Sequence, residues 1–384
     1  MTTANMTASW SDRKRYIWLL SPLLPLLVVN GLWHFHQTHL AIYAWISPIV
    51  IYLVIPLFDF LVGRDQNNAP DWAIPRLEAD WYYRIIVAAY VPSQFFVTFW
   101  GAWLVTHEVT NWIQYAGLIF SVGAINGIAI NTAHELGHKK DSWERWLSKI
   151  TLAPVAYGHF YVEHNRGHHR NVATPEDPAS ARLGESFWEF LPRTMIGSAR
   201  SAWNIEKERL ARKGESVWSF DNDNLQAWAM TIVLFAVITA WAGWWALPFL
   251  LLQAFYGATL LEVVNYLEHY GLLRQKTADG RYERCLPEHS WNSNYIMGNV
   301  FLYQLQRHSD HHANPTRRFQ ALRHYHESPQ LPAGYAGLLL PAYIPPVWFW
   351  LMNRRVVNHY RGDVRLANIH PRVRAKMLAK YAKA

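Results

Sequence analysis

The residues of this chain best suited to chemistry are histidines, and they are gathered in short motifs. The chain has 19 of them. In two motifs a pair at positions i and i+4 shares a helix face, so both imidazoles can reach one metal. The second motif ends in a further histidine that can turn toward a neighbouring ion, and a third motif combines i+3 and i+4 spacing. The motifs are His134-Glu-Leu-Gly-His138, Glu163-His164-Asn-Arg-Gly-His168-His169 and Gln306-Arg-His308-Ser-Asp-His311-His312, with His269 as an isolated fourth candidate.

These nine imidazoles are too many for one metal ion and sufficient for two. Neutral imidazole binds zinc, copper, iron and nickel, so the residue type alone does not select the metal. The arrangement differs from the soluble di-iron pattern of Glu and Glu-x-x-His ligands. The spacing therefore predicts a histidine-rich site for two metals and leaves the partition of the histidines between them open.

Long apolar stretches must position these motifs. Half of the residues are apolar and only 17% are charged, and about 20 apolar residues in a helix cross the hydrocarbon core of a bilayer. A further apolar segment, 335–352, is broken by prolines and is predicted to be interfacial or docked. The sequence thus predicts an all-α integral membrane protein with six transmembrane helices at 16–34, 40–62, 82–105, 112–133, 227–246 and 247–270.

Lysine and arginine predict the orientation of these helices. The short links between spans one and two, three and four, and five and six contain none, whereas the other polar segments carry essentially all of them. The positive-inside rule then places both termini in the cytoplasm, with the histidine motifs at the cytoplasmic ends of the helices. We expect residues 1–270 to form the transmembrane region, including a cytoplasmic helical segment at 139–226. Residues 271–384 complete the metal site from the cytoplasmic side, so that the chain works as one functional domain.

Composition also excludes several classes of protein. The single cysteine, Cys285, rules out an internal disulfide framework and a cysteine-based zinc, iron–sulfur or fused rubredoxin domain. The net charge of +8 is explained by membrane topology, so no nucleic acid partner is expected.

Polar residues near the motifs are candidates to support the metals. Glu262 lies inside the sixth span, and an intramembrane carboxylate is costly unless it has a function. It could act as a ligand, a counter-charge or a proton relay. Asn131 and Asn265 precede histidines on the same helices and could orient them. Other carboxylates that could contact ligands are Glu135, Glu268, Asp177 and Asp310.

The motifs closely resemble those of the integral-membrane alkane 1-monooxygenases, within the membrane desaturase and hydroxylase superfamily. The specific stretches are 305–313 (LQRHSDHHA) and 265–272 (NYLEHYGL). The resemblance implies two non-haem iron ions, O₂ as oxidant, and electrons from a separate rubredoxin that an NAD(P)H-dependent reductase reduces. It also implies conversion of a medium- or long-chain n-alkane to a primary alcohol at the bacterial inner membrane. Carried over, the iron ligands are His134, His138, His164, His168, His169, His269, His308, His311 and His312.

Oxidation at the end of an alkane needs a geometric explanation, because a terminal C–H bond is less reactive than an internal one. A narrow apolar channel that presents the methyl group first would supply it. The spans offer six aromatic residues as lining candidates: Phe58, Phe95, Phe96, Phe99, Trp100 and Trp103.

Three other functions compete with this interpretation. A fatty-acyl desaturase would use similar irons without inserting oxygen. The stretch 134–138 is also an H-E-x-x-H motif, so a membrane zinc protease with Glu135 as its base is conceivable, although it would not need seven further histidines. A metal transporter should line a path through the bilayer with its histidines, whereas here they collect at one face.

Overall fold

In a computed structural model, which describes residues 10–381, the chain is helical throughout and its extended segments meet only in isolated bridges. The expected position of the termini themselves therefore lies outside the described residues. The α-helices are α1 (Leu20–Thr38), α2 (Ala41–Ala44), α3 (Ile46–Ile49), α4 (Ile55–Val62), α5 (Ile74–Ala79), α6 (Trp81–His107), α7 (Trp112–Gly137), α8 (Ser142–Leu152), α9 (Phe160–Glu163), α10 (His169–Asn171), α11 (Phe187–Ala211), α12 (Asp223–Ala242), α13 (Ala246–His269), α14 (Ile296–Phe301), α15 (His308–Ala313), α16 (Tyr335–Tyr343), α17 (Pro345–His359) and α18 (Arg374–Tyr381). Two π-helical turns, Val50–Val54 and His164–His168, interrupt this series.

Within residues 10–381, five helices are long and apolar enough to cross a membrane, which confirms a multi-pass membrane protein. Polar residues begin several of them: the side chains of Asp80, Asn111 and Asn222 accept hydrogen bonds from backbone N–H groups in the first turns of α6, α7 and α12. The five helices correspond to predicted spans one and three to six: Ile17–Thr38, Trp81–His107, Trp112–Gly137, Asp223–Ala242 and Ala246–His269.

The second predicted span, 40–62, is not one continuous helix. The chain turns at Trp45, whose indole N–H donates to the Ile113 carbonyl at 3.0 Å. Helix then resumes over the shorter stretch Ile46–Val62, with the π turn in its middle. Pro48 and Pro56 lack the N–H groups that a regular ladder of hydrogen bonds needs. The count of six spanning helices accordingly stays a prediction, as does the cytoplasmic location of the termini.

The proline-broken segment near the C-terminus forms two helices that meet at Ile344. Helix α16 packs against α13 and against the π turn before α4. Helix α17 then runs back toward the residues that follow α13, where the Tyr360 hydroxyl accepts from the Leu273 N–H at 2.8 Å. The segment is thus docked on the spanning helices, and α16 forms one wall of the site described below.

A close crossing of α7 and α13 sets the position of the metal-bearing helix ends. A Cβ atom on Gly123 would lie 2.5 Å from the Gln253 carbonyl oxygen, and one on Gly257 would lie 2.8 Å from the Gly123 carbonyl oxygen. Small residues allow this backbone contact, as is common between membrane helices. Asn126 adds a hydrogen bond to Gln253 at 2.7 Å across the same crossing.

We expect Gly257→Ala to destabilise the protein, because the added methyl group has no space between the two helices. Overpacking of this kind costs about 1–3 kcal/mol. Gly337→Ala is the matched control, since a Cβ atom there would meet nothing nearer than 3.5 Å. In detergent, Gly257→Ala should unfold at a temperature several degrees below that of Gly337→Ala. Equal unfolding temperatures would contradict the close backbone contact of α7 and α13 at Gly257.

Candidate metal centre

The nine histidines singled out from the sequence lie together at one end of α7 and α13, in two groups. Within each group, one nitrogen of every ring lies within 4.8 Å of the others. Ligand nitrogens bound at about 2 Å to one ion lie about 3–4 Å apart, so each group has the dimensions of a single metal site. The first group holds His134, His138, His164, His169 and His311, and the second holds His168, His269, His308 and His312.

The nitrogen atoms inside each group fit a cation. The Nε2 atoms of His138 and His168 are buried and have no hydrogen-bond partner. Lone pairs that face one another repel unless a proton or a metal ion lies between them, so the donor set fits two ions, one for each group. Facing Nε2 atoms lie 2.8 Å apart in His134 and His311, 3.0 Å apart in His169 and His311, and 2.9 Å apart in His308 and His312.

Burial keeps these imidazoles in the form that binds metal. Removal from water disfavours the imidazolium form, and neighbouring imidazoles add to this effect. A neutral ring offers the lone pair that a metal requires. Burial lowers the pKa well below its usual value in the ligands outside the spanning helices whose pKa is shifted: His138, His164, His169, His308, His311 and His312.

In the second motif, the histidines at positions i and i+4 do not belong to the same group, contrary to the expectation. His164 and His169 point into the first group, whereas His168 enters the second. The reason is local: residues 164–168 form a π turn, in which positions i and i+5 lie one above the other. The expectation that His164 and His168 reach one metal was therefore wrong, because it assumed regular α-helical spacing.

The other two motifs are α-helical and follow the ordinary rule. His134 and His138 share the first group at i, i+4, and His308 and His312 share the second. His311, at i+3 from His308, turns to the first group. Helix α15 therefore supplies ligands to both groups and holds them side by side.

Polar groups close to the Nδ1 atoms orient two imidazole rings of the second group. The Nδ1 atom of His168 lies 2.9 Å from an Asp177 oxygen, and Nδ1 of His269 lies 3.3 Å from the His289 carbonyl oxygen. A proton on Nδ1 directs the Nε2 lone pair toward the centre of the group. Although burial opposes it, the adjoining His168 and Ser180 lower the pKa of Asp177 overall.

Glu268 flanks the same group. Its carboxylate lies 3.2 Å from Nδ1 of His308, without the alignment of a hydrogen bond. Glu268 is fully enclosed within the protein. Both Asp177 and Glu268 were candidates from the sequence, and both lie against ring nitrogens of the second group.

Glu262 is a buried carboxyl near this group, and its hydrogen bonds go to residues other than the ligands. Its carboxylate accepts hydrogen bonds from the Tyr157 hydroxyl at 2.6 Å, the Thr194 hydroxyl at 2.8 Å and the Asn265 amide at 3.2 Å. Asn265 thus orients Glu262 and not a histidine. Sequence reasoning missed Tyr157 and Thr194, since only the fold brings α11 and the 153–159 loop to α13.

Glu163 is a carboxyl that the candidate set lacked, although it opens the second motif. It is buried, and one of its oxygens has no hydrogen-bond partner. Burial and the nearby carboxylates of Asp177 and Glu262 raise the pKa of Glu163 well above its usual range. Its adjacency to His164 was the only signal in the sequence.

Three other candidates bond elsewhere, even though each lies within three positions of a ligand in the sequence. Glu135 is unavailable as the base that a zinc protease would require, because it forms an ion pair with Lys139. Asn131 donates to the Leu302 carbonyl at 2.7 Å, Glu135 pairs with Lys139 at 2.8 Å, and Asp310 pairs with Arg317 at 2.7 Å.

An apolar cavity lies between the apolar helices, and part of its wall is close in sequence to the metal groups. Asn131, one turn before His134, and Leu305, three residues before His308, lie on its wall. Asn131 and Tyr335 supply the only polar side-chain atoms of the lining. The remaining lining residues are Ile51, Ile55, Gly127, Ile128, Leu260, Leu261, Val264, Gly298, Phe301, Leu302, Ala336 and Leu339.

None of the six aromatic residues proposed as channel lining belongs to this wall. They lie on α4 and α6, turned toward other helices or the outer surface. Phe58 and Phe96 are exposed, and Phe99, Trp100 and Trp103 pack at the rim of the core. Phe95 is half-buried on α6. The wall comes instead from the π turn before α4 and from α7, α13, α14 and α16.

Comparison with known proteins defines the class of this membrane protein. Residues 110–342, which include all nine histidines, match the family described as fatty acid desaturase. The xylene/toluene monooxygenase hydroxylase component of Pseudomonas putida is 29% identical over 247 residues, 64% of this chain and 65% of that protein. The chain is therefore a member of the membrane desaturase and hydroxylase superfamily.

More similar proteins identify the family within this superfamily. The alkane 1-monooxygenase of Acinetobacter baylyi is 51% identical over 373 residues, 96% of this chain and 91% of that protein. The alkane 1-monooxygenase of Pseudomonas putida is 45% identical over 370 residues, 96% and 92% of the two chains. The chain belongs to the alkane 1-monooxygenase family, as its motifs predicted, and it is an oxidoreductase that hydroxylates alkanes.

Proposed function

We propose that this protein is a di-iron monooxygenase that converts the terminal methyl group of a medium- or long-chain n-alkane to a primary alcohol. O₂ is the oxidant, and rubredoxin supplies the electrons. The observation that carries the proposal is an apolar cavity whose wall includes Asn131 and Leu305, three positions before His134 of the first histidine group and His308 of the second. The net reaction consumes O₂, two electrons and two protons, and it yields the alcohol and water.

Two iron ions would be held by the two histidine groups and, when bound, would supply the activation of O₂ and the transfer of one oxygen atom to carbon. Neutral imidazoles leave the charge of the ions uncompensated. Asp177, Glu268 and Glu262 are buried carboxyl groups that would supply compensating negative charge once the ions are bound. The choice of iron follows from the chemistry of the relatives, since imidazole by itself also accepts zinc.

The cavity residues give the reaction its selectivity. Apolar walls on α7 and α13 exclude water and hold an alkane by dispersion and the hydrophobic effect. An alkane whose end reaches the part of the wall beside Asn131 and Leu305, each three positions from a ligand, would present a terminal methyl group to the histidine groups. The Asn131 amide donates to the Leu302 carbonyl, which gives this polar group of the apolar wall a hydrogen-bond partner.

The electron donor would dock where the ligands approach the surface. His138 and His169 of the first group are half-buried, while the other ligands of that group are buried. Lys140, two residues after His138, and Arg170, the residue after His169, are exposed cations that suit an acidic rubredoxin. The arginine and lysine distribution supports a bacterial inner-membrane location with this face in the cytoplasm, where rubredoxin and its NAD(P)H-dependent reductase would act.

The alternative is fatty-acyl desaturation, because the matching family is described by that activity. Desaturation would use the same histidine groups without adding oxygen to the product. The resemblance to alkane 1-monooxygenases over nearly the whole chain makes hydroxylation the preferred function.

We expect membranes containing this protein to convert n-octane to 1-octanol carrying one ¹⁸O atom from ¹⁸O₂, when rubredoxin and its reductase are added. Omission of rubredoxin should lower the rate to background, and purified protein should hold about two irons per chain. Mass spectrometry of the alcohol and metal analysis measure these results. An unlabelled product, an alkene, or one zinc in place of iron would overturn the proposal.

A further inference from the structure

A second cavity, which is polar, lies near the metal groups, because Arg307 on its wall directly precedes the ligand His308. Its volume of about 630 Å³ falls within the range of ligand-binding clefts. The wall draws on four segments, which are 10–14 before α1, 64–69 after α4, 296–307 around α14, and 320–322. Because cations predominate on this wall, we call the cavity the basic cleft.

The charges on the wall of the basic cleft do not balance. Four cations face two carboxylates, an excess of two positive charges. Both carboxylates already have partners within the protein, since Lys14 donates to Asp65 at 2.7 Å and the Tyr83 hydroxyl donates to Asp12 at 2.6 Å. The cations are Arg13, Lys14, Arg64 and Arg307, and the carboxylates are Asp12 and Asp65. An anion from outside the chain would restore the balance.

The three arginines of the cleft form no ion pair with a carboxylate within residues 10–381. Arg307 is 2% exposed, donates to three backbone carbonyl oxygens at 2.6, 3.0 and 3.0 Å, and keeps an Nε atom without a partner. Arg64 donates to the Tyr295 hydroxyl at 3.0 Å, and Arg13 is exposed. Residues 1–9 contain neither aspartate nor glutamate. Because a buried guanidinium without a counter-charge is costly, an anion bound in the cleft would stabilise the protein.

Apolar surface suited to lipid adjoins the basic cleft on two sides. Helix α4 ends two residues before Arg64, and its last turn includes Phe60 and Leu61, which are 81% and 65% exposed. Leu20, the first residue of α1, is 38% exposed. Helix α14 packs against both α1 and α4, and its first residue, Ile296, lies on the cleft wall. A molecule with an anionic group and acyl chains would therefore contact the cleft and the apolar surface together, whereas a free anion would contact the cleft alone.

We propose that the basic cleft binds the phosphate group of an anionic phospholipid whose acyl chains lie along α1 and α4. A zwitterionic headgroup would bring an ammonium group into a cleft that already has excess positive charge, so a headgroup with net negative charge is preferred. The bound lipid links the segment before α1 to the segment that leads into α15, because Lys14 and Arg307 lie on the same wall. The inference concerns lipid binding and does not depend on the proposed alkane hydroxylation.

Thermal unfolding of the delipidated full chain in a neutral detergent measures this binding, because a ligand of the folded state raises the unfolding temperature as its concentration rises. Dioleoyl phosphatidylglycerol should raise the unfolding temperature until the site is saturated. Dioleoyl phosphatidylcholine and inorganic phosphate at the same concentrations should raise it much less. Native mass spectrometry should detect phosphatidylglycerol retained on the protein.

Arg13→Gln and Arg64→Gln each remove one cation of the cleft and leave the buried Arg307 in place. Each should weaken phosphatidylglycerol binding about fivefold, the contribution of one cation near an anionic headgroup, and the double variant should weaken it further. Arg200→Gln is the matched control, since Arg200 is exposed on α11 and lies outside the cleft. It should leave phosphatidylglycerol binding unchanged. Retention in native mass spectrometry reports binding even where a variant unfolds at a lower temperature.

Three results would overturn the lipid site. Equal stabilisation by phosphatidylcholine would show a general effect of lipid, and equal stabilisation by inorganic phosphate would show a site for a free anion. Unchanged phosphatidylglycerol retention in the double variant, or an equal loss in Arg200→Gln, would show that the cleft arginines do not hold the headgroup.

Discussion

Replacement of His311 or of His312 by alanine is expected to reduce alkane hydroxylation by more than about 100-fold, since loss of a ligand exceeds the effect of losing a ligand's partner. The two residues are adjacent in the chain but belong to different groups. His311 Nε2 faces the nitrogens of His134 and His169, and His312 faces His308. Each substitution should therefore weaken a different ion.

Mössbauer spectroscopy of ⁵⁷Fe-loaded protein measures this difference. In each variant one of the two iron signals should be lost or altered, and the affected signal should differ between the variants. His326→Ala is the control, since His326 is exposed and lies in neither group. If both substitutions altered the same iron, or if either variant kept full turnover, the partition would be wrong.

The next largest effect is expected for Asp177→Asn. Asp177 is buried and lies 2.9 Å from Nδ1 of His168. An amide keeps the size and one acceptor oxygen but removes the charge that fixes the imidazole and balances the ion. Loss of such a partner costs about 10–100-fold in metal affinity or activity.

Two readouts separate this effect from simple unfolding. Iron should leave the Asp177→Asn variant faster in the presence of a chelator, and the loss should concern the signal that His312→Ala also changes. Ser180→Ala is the matched control, because it removes a hydrogen bond at 2.6 Å to the same carboxylate and leaves the charge in place. A variant with normal iron retention and normal turnover would show that Asp177 does not support His168.

The identity of the ligand candidates could be read from the sequence because the motifs are local. Histidines at i, i+3 and i+4 indicate side chains that share one helix face. High hydropathy over a 20-residue window predicts a membrane-spanning helix. These signals depend on neighbours in the chain. They led to all nine histidines that the fold gathers and to the five long apolar helices.

The tertiary structure alone decided how those residues are used. Because residues 164–168 form a π turn, His164 has His169 rather than His168 on its face, and His168 joins the other group. The i, i+4 spacing rule of a regular α-helix does not predict this. The hydrogen bonds to Glu262 come from Tyr157 and Thr194, far from it in sequence. The cavity wall draws on α14 and α16, outside the five long helices, and not on the aromatic residues of α6. Periodicity shows which residues face the interior, but packing between distant segments decides which side chains meet there.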